Sequence, residues 1–206
     1  TGAYSIVYAL DARSGKLHWR AVPEAHRHAT ITATPVLDQG RLYAAVSSME
    51  VLAADDPNYG CCTFRGSVAA FDTATGKRLW QTYTIPQPPS PQQPNSNGVM
   101  QYGPSGAPIW GSPSIDAKRR RLYIGTGENY SSPTDDRSDA IMAMDLDTGS
   151  IIWRHQATTG DAWNGSCNVS QVNCPRENGP DADFGAATIF ATTSDGRDLV
   201  IAGQKS

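Results

Sequence analysis

The chain has 206 residues, with 17 Lys and Arg against 20 Asp and Glu, for a formal net charge of −3. It lacks the basic excess that neutralises phosphates, which excludes nucleic acid as a partner. Its 39% hydrophobic residues suffice for a globular core, and its 19 Gly and 14 Pro point to many turns and short elements. No apolar run approaches the roughly 20 residues that cross a bilayer, so a soluble protein without a membrane span is expected. The opening Thr1-Gly2-Ala3-Tyr4 is neither a Met start nor a leader and reads as an interior point of a longer natural chain.

A repeat organises the sequence. "VYALDARSGKLHW" from Val7 recurs as "VAAFDTATGKRLW" from Val68 and as "IMAMDLDTGSIIW" from Ile141, in the frame Asp-x-x-Ser/Thr-Gly followed four residues later by Trp. Each copy predicts a hairpin: an alternating strand, an Asp-opened turn closed by Gly, and a second strand ending in Trp. "GRLYAAV" (40–46), "RRLYIGTG" (120–127) and "RDLVIAG" (197–203) read as inner strands, and "ITATPVLD" (31–38), "IWGSPSID" (109–116) and "FGAATIFA" (184–191) as innermost ones. Four antiparallel strands per unit, repeated, make an all-β fold of the β-propeller class. Residues 1–206 are expected to form part of one propeller domain cut at both ends, about three blades of an eight-bladed ring. The repeat Asp residues stand 61 and 73 apart, more than the roughly 40–50 of compact propeller repeats, so insertions are required. One is the Pro-rich run from Ile85 to Pro108, expected to be extended or polyproline-like, either a surface loop or a wall of an access channel.

Residues outside the repeat carry the functional reading. Trp110 lies at the start of an innermost strand, where a large ring is a stacking surface or an inter-blade packing group. Glu50 follows one inner strand, and Glu128 with Asn129 follows its counterpart one blade on. Together they offer oxygen ligands for a hard cation, though each alone suits a solvated loop. Asp181 and Asp183 precede the last innermost strand, as a general base or as turn residues. Of the four cysteines, Cys167 and Cys174 are close enough to staple a loop. Cys61 and Cys62 are adjacent, and at a Cα spacing of about 3.8 Å a bond between them is strained, leaving pairing elsewhere as the alternative. Two disulfides suit an oxidising compartment, periplasmic or secreted.

These motifs resemble the quinoprotein alcohol dehydrogenases, propellers that carry pyrroloquinoline quinone (PQQ) and a metal ion. The resemblance spans nearly the whole chain. "ITATPVLDQGRLYAAVSSMEV" matches the family's Thr, then Ser-x-x-Glu, which implies that Thr32 and Ser47 hold the cofactor's carboxylates and Glu50 the metal. Trp110-Gly111 matches the Trp under the quinone. The strand ending Gly125-Thr126-Gly127 departs from the family by placing Glu128 where an Asn ligand is usual, with Asn129 next. The resemblance implies a catalytic base in a Trp-Asp segment. Here "GDAWN" puts Asn164 at that place, and the acid-aromatic pair Asp183-Phe184, after an insertion, is taken as the base motif. "LVIAGQKS" supplies Lys205 for the quinone oxygens. The metal implied is Ca²⁺, with the added charge of Glu128 also suiting a lanthanide as the less favoured choice. The adjacent cysteines are similar to a vicinal disulfide of the family, which sits in an earlier blade there. "CCTFRGSV" and "PDADFGA" resemble the polyvinyl-alcohol dehydrogenase branch most, implying a secondary alcohol substrate and cytochrome c or another electron acceptor. The rival reading is a non-catalytic propeller similar to the scaffold lipoprotein of outer-membrane assembly, binding protein partners.

Overall fold

Each repeated Asp turns its hairpin through its own side chain. Asp11 Oδ1 accepts from the amides of Arg13 and Ser14, Asp72 Oδ1 from that of Thr75, and Asp145 Oδ1 from those of Asp147 and Thr148. A short carboxylate that captures the next amides bends the chain and frees it from the strand ladder. The hairpins so formed pair Val7–Leu10 with Leu17–Ala21, Ser67–Asp72 with Arg78–Tyr83, and Ala140–Asp145 with Ile151–Gln156, each with a register shift beside the turn. The structure is a computed structural model that describes residues 5–205; Thr1-Gly2-Ala3-Tyr4 and Ser206 lie outside the described residues.

Two complete blades result. Val36–Asp38, Arg41–Ser48, Ser67–Asp72 and Arg78–Tyr83 are antiparallel neighbours in chain order, and so are Ser114–Asp116, Arg121–Gly125, Ala140–Asp145 and Ile151–Gln156. The hairpin Val7–Leu10/Leu17–Ala21 precedes them, and the hairpin Ile189–Thr192/Asp198–Ile201 follows. This is the propeller architecture that the repeat predicts.

The blades meet on apolar faces: Tyr43, Val68 and Ala70 of the first pack with Leu122, Ile124, Met142, Met144 and Leu146 around the second. The repeat Trp fixes their relative position. Trp80 Nε1 donates to Leu146 O at 3.2 Å, and Tyr43 Oη donates to the same carbonyl at 3.2 Å. Trp19 makes the equivalent bond to Thr73 O at 2.8 Å. Each indole lies over the turn Gly of the next hairpin, so a Cβ at Gly149 would sit 2.5 Å from the Trp80 ring and one at Gly76 2.6 Å from the Trp19 ring. Gly149 also adopts φ +75°, so both its backbone and its lack of a side chain are required.

The Pro-rich insertion is extended, and it is paired rather than left as an open loop. The Pro-rich run folds as a hairpin, Ser90–Pro94 against Met100–Gly103, because Asn95 Oδ1 accepts from the amides of Asn97 and Val99 and closes a tight turn. Ser105–Gly106 then pairs with Asn129–Ser131. A single helical turn, Glu50–Ala53, follows the strand Arg41–Ser48. Cys167 and Cys174 form the loop staple expected of them. Cys61 and Cys62 are bonded to each other across a cis peptide, which brings their Cα atoms to 3.0 Å in place of the trans spacing. No helix among the described residues is long and apolar enough to cross a membrane.

The contact between Trp80 and Gly149 makes a measurable prediction. Gly149→Ala should cost about 2–4 kcal/mol, combining left-handed backbone with overpacking, whereas Gly98→Ala should cost only about 1 kcal/mol, since Gly98 shares a positive φ but has open space around it. Urea denaturation midpoints of the two variants check this.

Candidate functional site

Strand ends from both blades and the segment before the last hairpin enclose a cavity of about 300 Å³. The first blade contributes Ser47 and Ser48 from the end of the strand Arg41–Ser48, with Thr30 and Thr32 from the chain before it. From the second come Glu128 and Tyr130, and Trp110, Trp163, Asp181, Asp183 and Lys205 complete the wall. The two Trp residues that fall outside the repeat therefore both face this space. Trp110 is 37% exposed there. Thr32 Oγ1 donates to Trp110 O at 3.3 Å, tying the two expected cofactor residues together.

Asp183 is the best-held polar group in the wall. It is 1% exposed; its Oδ1 accepts from the backbone amide of Glu128 at 2.9 Å and its Oδ2 meets Lys205 Nζ at 2.7 Å. Lys205 also bridges to Asp181 Oδ2 at 2.8 Å, and its ammonium stands 5.7 Å from the centroid of the Trp110 ring. Its amide donates to Asp183 O at 2.7 Å, so backbone and side chain register the two residues together. This approach depends on Gly127, since a Cβ there would overlap Asp183 Oδ1 and crowd Trp110 Nε1.

Three carboxylates crowd here: ligand oxygens of Glu128, Asp181 and Asp183 all lie within 4.8 Å of one another. Burial, with the neighbouring Asp183 charge, raises the Glu128 carboxyl well above its ordinary value. For Asp183, burial acts upward but is outweighed by hydrogen bonding from Glu128 and by Lys205, which hold it below the usual carboxylate range. Asp181 is raised, chiefly by burial. The cluster therefore sets one carboxyl held low, Asp183, beside two pushed up, Glu128 and Asp181, with a cation on its rim. Such a set of oxygen donors has the chemistry of a hard-cation site.

Of the residues expected as metal ligands, Glu50 with Glu128 or Asn129, only Glu128 lines this cavity. Glu50 is fully buried, but the chain leaves the strand direction at the helical turn Glu50–Ala53, which carries its carboxylate to the loop 59–64. There Oε1 accepts from Tyr59 Oη at 2.6 Å and Oε2 from Phe64 N at 2.7 Å, with Thr63 N at 3.0 Å completing the shell. Asn129 is turned away by strand alternation, which sends Glu128 and Tyr130 to the cavity and Asn129 to the opposite face. Its Nδ2 donates to Ser138 Oγ at 2.7 Å and its Oδ1 accepts from Asp135 N. Asn164, at the motif position of the base, caps the turn Gly165–Asn168 and donates to Tyr130 O and Asn173 O, both at 2.9 Å. The vicinal disulfide is not among the residues lining this cavity.

Sequence reasoning passed over Tyr130 and Asp139. Tyr130 was legible as the residue two on from Glu128 on an alternating strand. Asp139 had no signal, standing at the start of an ordinary repeat strand. It is fully buried at φ +48°, neither carboxylate oxygen has a partner among the described residues, and burial, with Asp161 and Asp183 nearby, pushes its pKa to about 8. An acid whose folded pKa is raised binds its proton more tightly when folded, so its contribution to stability declines as pH rises from about 4 to about 8. In the metal-free protein Asp139→Asn should therefore raise Tm by a few degrees at pH 8 and little at pH 4, which thermal melts across that range check.

Comparison with known proteins agrees with this fold. Residues 53–169 match the family described as "PQQ: Glucose/ethanol/alcohol dehydrogenase, beta-propeller domain". A polyvinylalcohol dehydrogenase from a Sphingopyxis species is 39% identical over 201 residues, covering 96% of this chain and 31% of that protein. One from a Pseudomonas species is 37% identical over 198 residues, with the same coverage. Among solved structures, a quinohemoprotein alcohol dehydrogenase from Comamonas testosteroni superposes with a TM-score of 0.66 at 24% identity, over 98% of this chain and 30% of that one. The chain belongs to the PQQ glucose/ethanol/alcohol dehydrogenase β-propeller family, and it spans about a third of the length of the relatives it matches.

Proposed function

We propose that the whole protein is a PQQ-dependent dehydrogenase of secondary alcohols, polyvinyl alcohol among them, with its cofactor and substrate in the cavity of Trp110 and Asp183. The observation that carries this is the convergence of Trp110, Lys205, Asp183 and Glu128 on one cavity in a chain of this family. The residues present fit both groups the family implies. A half-exposed indole offers a face to a flat quinone, Lys205 and the hydroxyls of Thr32 and Ser47 suit its carboxylates and carbonyl oxygens, and Glu128, Asp181 and Asp183 suit a cation.

Bound PQQ supplies a two-electron, hydride-accepting centre, and a bound cation supplies Lewis acidity at its carbonyl. The chain's own share is position and proton handling. Asp183, held ionised by Lys205 and the Glu128 amide, accepts the alcohol's hydroxyl proton. Lys205 keeps that carboxylate aimed and neutralises part of the cluster's charge. Trp163 and Tyr130 narrow the cavity and exclude water. Calcium is the default ion, and three carboxylates also suit a lanthanide. The electron acceptor is a cytochrome c or equivalent carrier, and two disulfides suit a periplasmic or secreted location.

Titration of PQQ into the full-length protein with Ca²⁺ should give saturable quenching of Trp fluorescence that a chelator reverses. Asp183→Asn should retain the quenching and lose about 10²- to 10⁴-fold in kcat on 2-butanol; Glu128→Gln should weaken the cation dependence. A folded protein that shows no quenching would overturn the assignment.

A further inference from the structure

Tyr43 and Tyr130 are both fully buried, and they use their hydroxyls differently. Tyr43 Oη donates to Leu146 O at 3.2 Å. Tyr130 accepts from Asn164 Nδ2 at its backbone carbonyl, yet its Oη has no hydrogen-bond partner among the described residues. An O–H shut away from bulk water without a partner lowers stability, so a position chosen for packing alone would favour Phe.

The ring itself is fixed. It stacks on Phe64, with centroids 6.2 Å apart and planes at 27°, and packs in one apolar cluster with Ala29, Val46, Ala54 and the Cys61–Cys62 pair. Its backbone lies so close to Gly106 that a Cβ there would sit 2.4 Å from Tyr130 N. The phenol therefore has no need to reorganise, and the space it borders is the cavity of Glu128, Asp183 and Trp110.

Within that cavity the hydroxyl stands among the carboxylates. Tyr130 follows Glu128 by two residues on an alternating strand, and the charges of Glu128, Glu50 and Asp183 all bear on its hydroxyl. A phenol keeps its proton at neutral pH, so this group is a donor on the side of the cavity where Asp183 must meet an alcohol. The polar edge of the cofactor is already matched by the hydroxyls of Thr32 and Ser47 and the ammonium of Lys205.

We infer that Tyr130 is a further catalytic residue, whose hydroxyl donates to the oxygen of the alcohol while Asp183 takes that oxygen's proton; the inference rests on the dehydrogenase reading. The O–H bond of the alcohol breaks with its proton going to the Asp183 carboxylate. The C–H bond breaks with its hydride going to the PQQ of that reading, and the C–O bond becomes C=O. Tyr130 gives up no proton. Its hydrogen bond strengthens as negative charge gathers on the oxygen, and a donor already in place supplies that stabilisation without rearrangement. The partner that the fold withholds from the phenol is then the substrate oxygen.

Tyr130→Phe deletes the hydroxyl and keeps the ring on Phe64, and full-length protein carrying it is read in three ways. Its Tm without ligand should equal or exceed that of wild type, the opposite of what loss of a structural hydrogen bond gives. Half-saturation of Trp quenching by PQQ with Ca²⁺ should be unchanged. Turnover of 2-butanol should fall about 10²-fold in kcat with little change in KM. A Tm lower by several degrees would show a hydroxyl bonded within the fold, and an unchanged kcat a hydroxyl that does not touch the alcohol; either overturns the assignment. Weakened PQQ quenching with kcat unaltered at saturation gives the phenol to the cofactor and overturns it as well. A wild type that leaves 2-butanol unoxidised with PQQ and Ca²⁺ sinks the dehydrogenase reading and this role with it, whereas an active wild type beside an equally active Phe variant removes Tyr130 alone.

Discussion

Everything in this structure depends on the repeat Trp lying over the turn glycine of the next blade. Trp80 has no room unless residue 149 lacks a side chain, and its Nε1 finds its partner only if Leu146 O stands one blade away. Tyr43 reaches the same carbonyl from the inner strand, so one acceptor reads the position of two elements of the neighbouring blade. Ion pairs extend the seam outward: Arg120 pairs with both Asp38 and Asp147, and Arg41 with Asp147. Surface pairs of this kind contribute little each, and the directional force lies in the indole contact. Because blades are registered at the hairpin end, their inner strands finish at matching heights, which is how Ser47 of one and Glu128 of the next come to share a cavity.

That cavity is where the fold departs from what stability alone favours. Packed interiors avoid carboxylates without partners, yet Glu128, Asp139, Asp161 and Asp183 are all buried within one region. Asp161 is satisfied by the amides of Asp181 and Ala182 and Asp183 by Lys205 and Glu128 N, while Asp139 has no donor among the described residues. A binding scaffold gains nothing from so much buried like charge. Perturbed acids gathered at a cavity are a physical mark of functional sites.

The sequence made the architecture legible because its signals are local. An Asp that bonds amides two and three residues on, a Gly at positive φ and a Trp four residues later all act within one hairpin, and three copies leave little ambiguity. Thr32, Ser47, Trp110, Asp183 and Lys205 line one cavity, and each was legible for a related reason, since each stands at a fixed place relative to a repeat strand. Glu50 and Asn129 do not line that cavity, and what decides their direction is distant in sequence. A helical turn rotates Glu50 onto Tyr59, Thr63 and Phe64, and the loop 135–138 claims the Asn129 amide. The bond between Cys61 and Cys62 was left open because a trans spacing was assumed for neighbours.

The late insertion is held in place by its own polar contacts. The segment "GDAWN" lies along the second blade, with Trp163 N donating to Asn129 O at 2.8 Å. Asn164 has no charge to offer, and its amide is consumed in holding Tyr130 and Asn173. Asn173 in turn donates to Ala54 O and Asp56 O, clamping the insertion onto the loop after Glu50. The disulfide between Cys167 and Cys174 closes this short loop, which has no hydrophobic core of its own to order it. With that loop fixed, the chain returns past Asp161 and delivers Asp183 against the Glu128 amide. Asp183 thus reaches the cavity from beyond the insertion, while Asn164 Nδ2 on Tyr130 O and Trp163 N on Asn129 O brace Tyr130 and Trp163 in the wall.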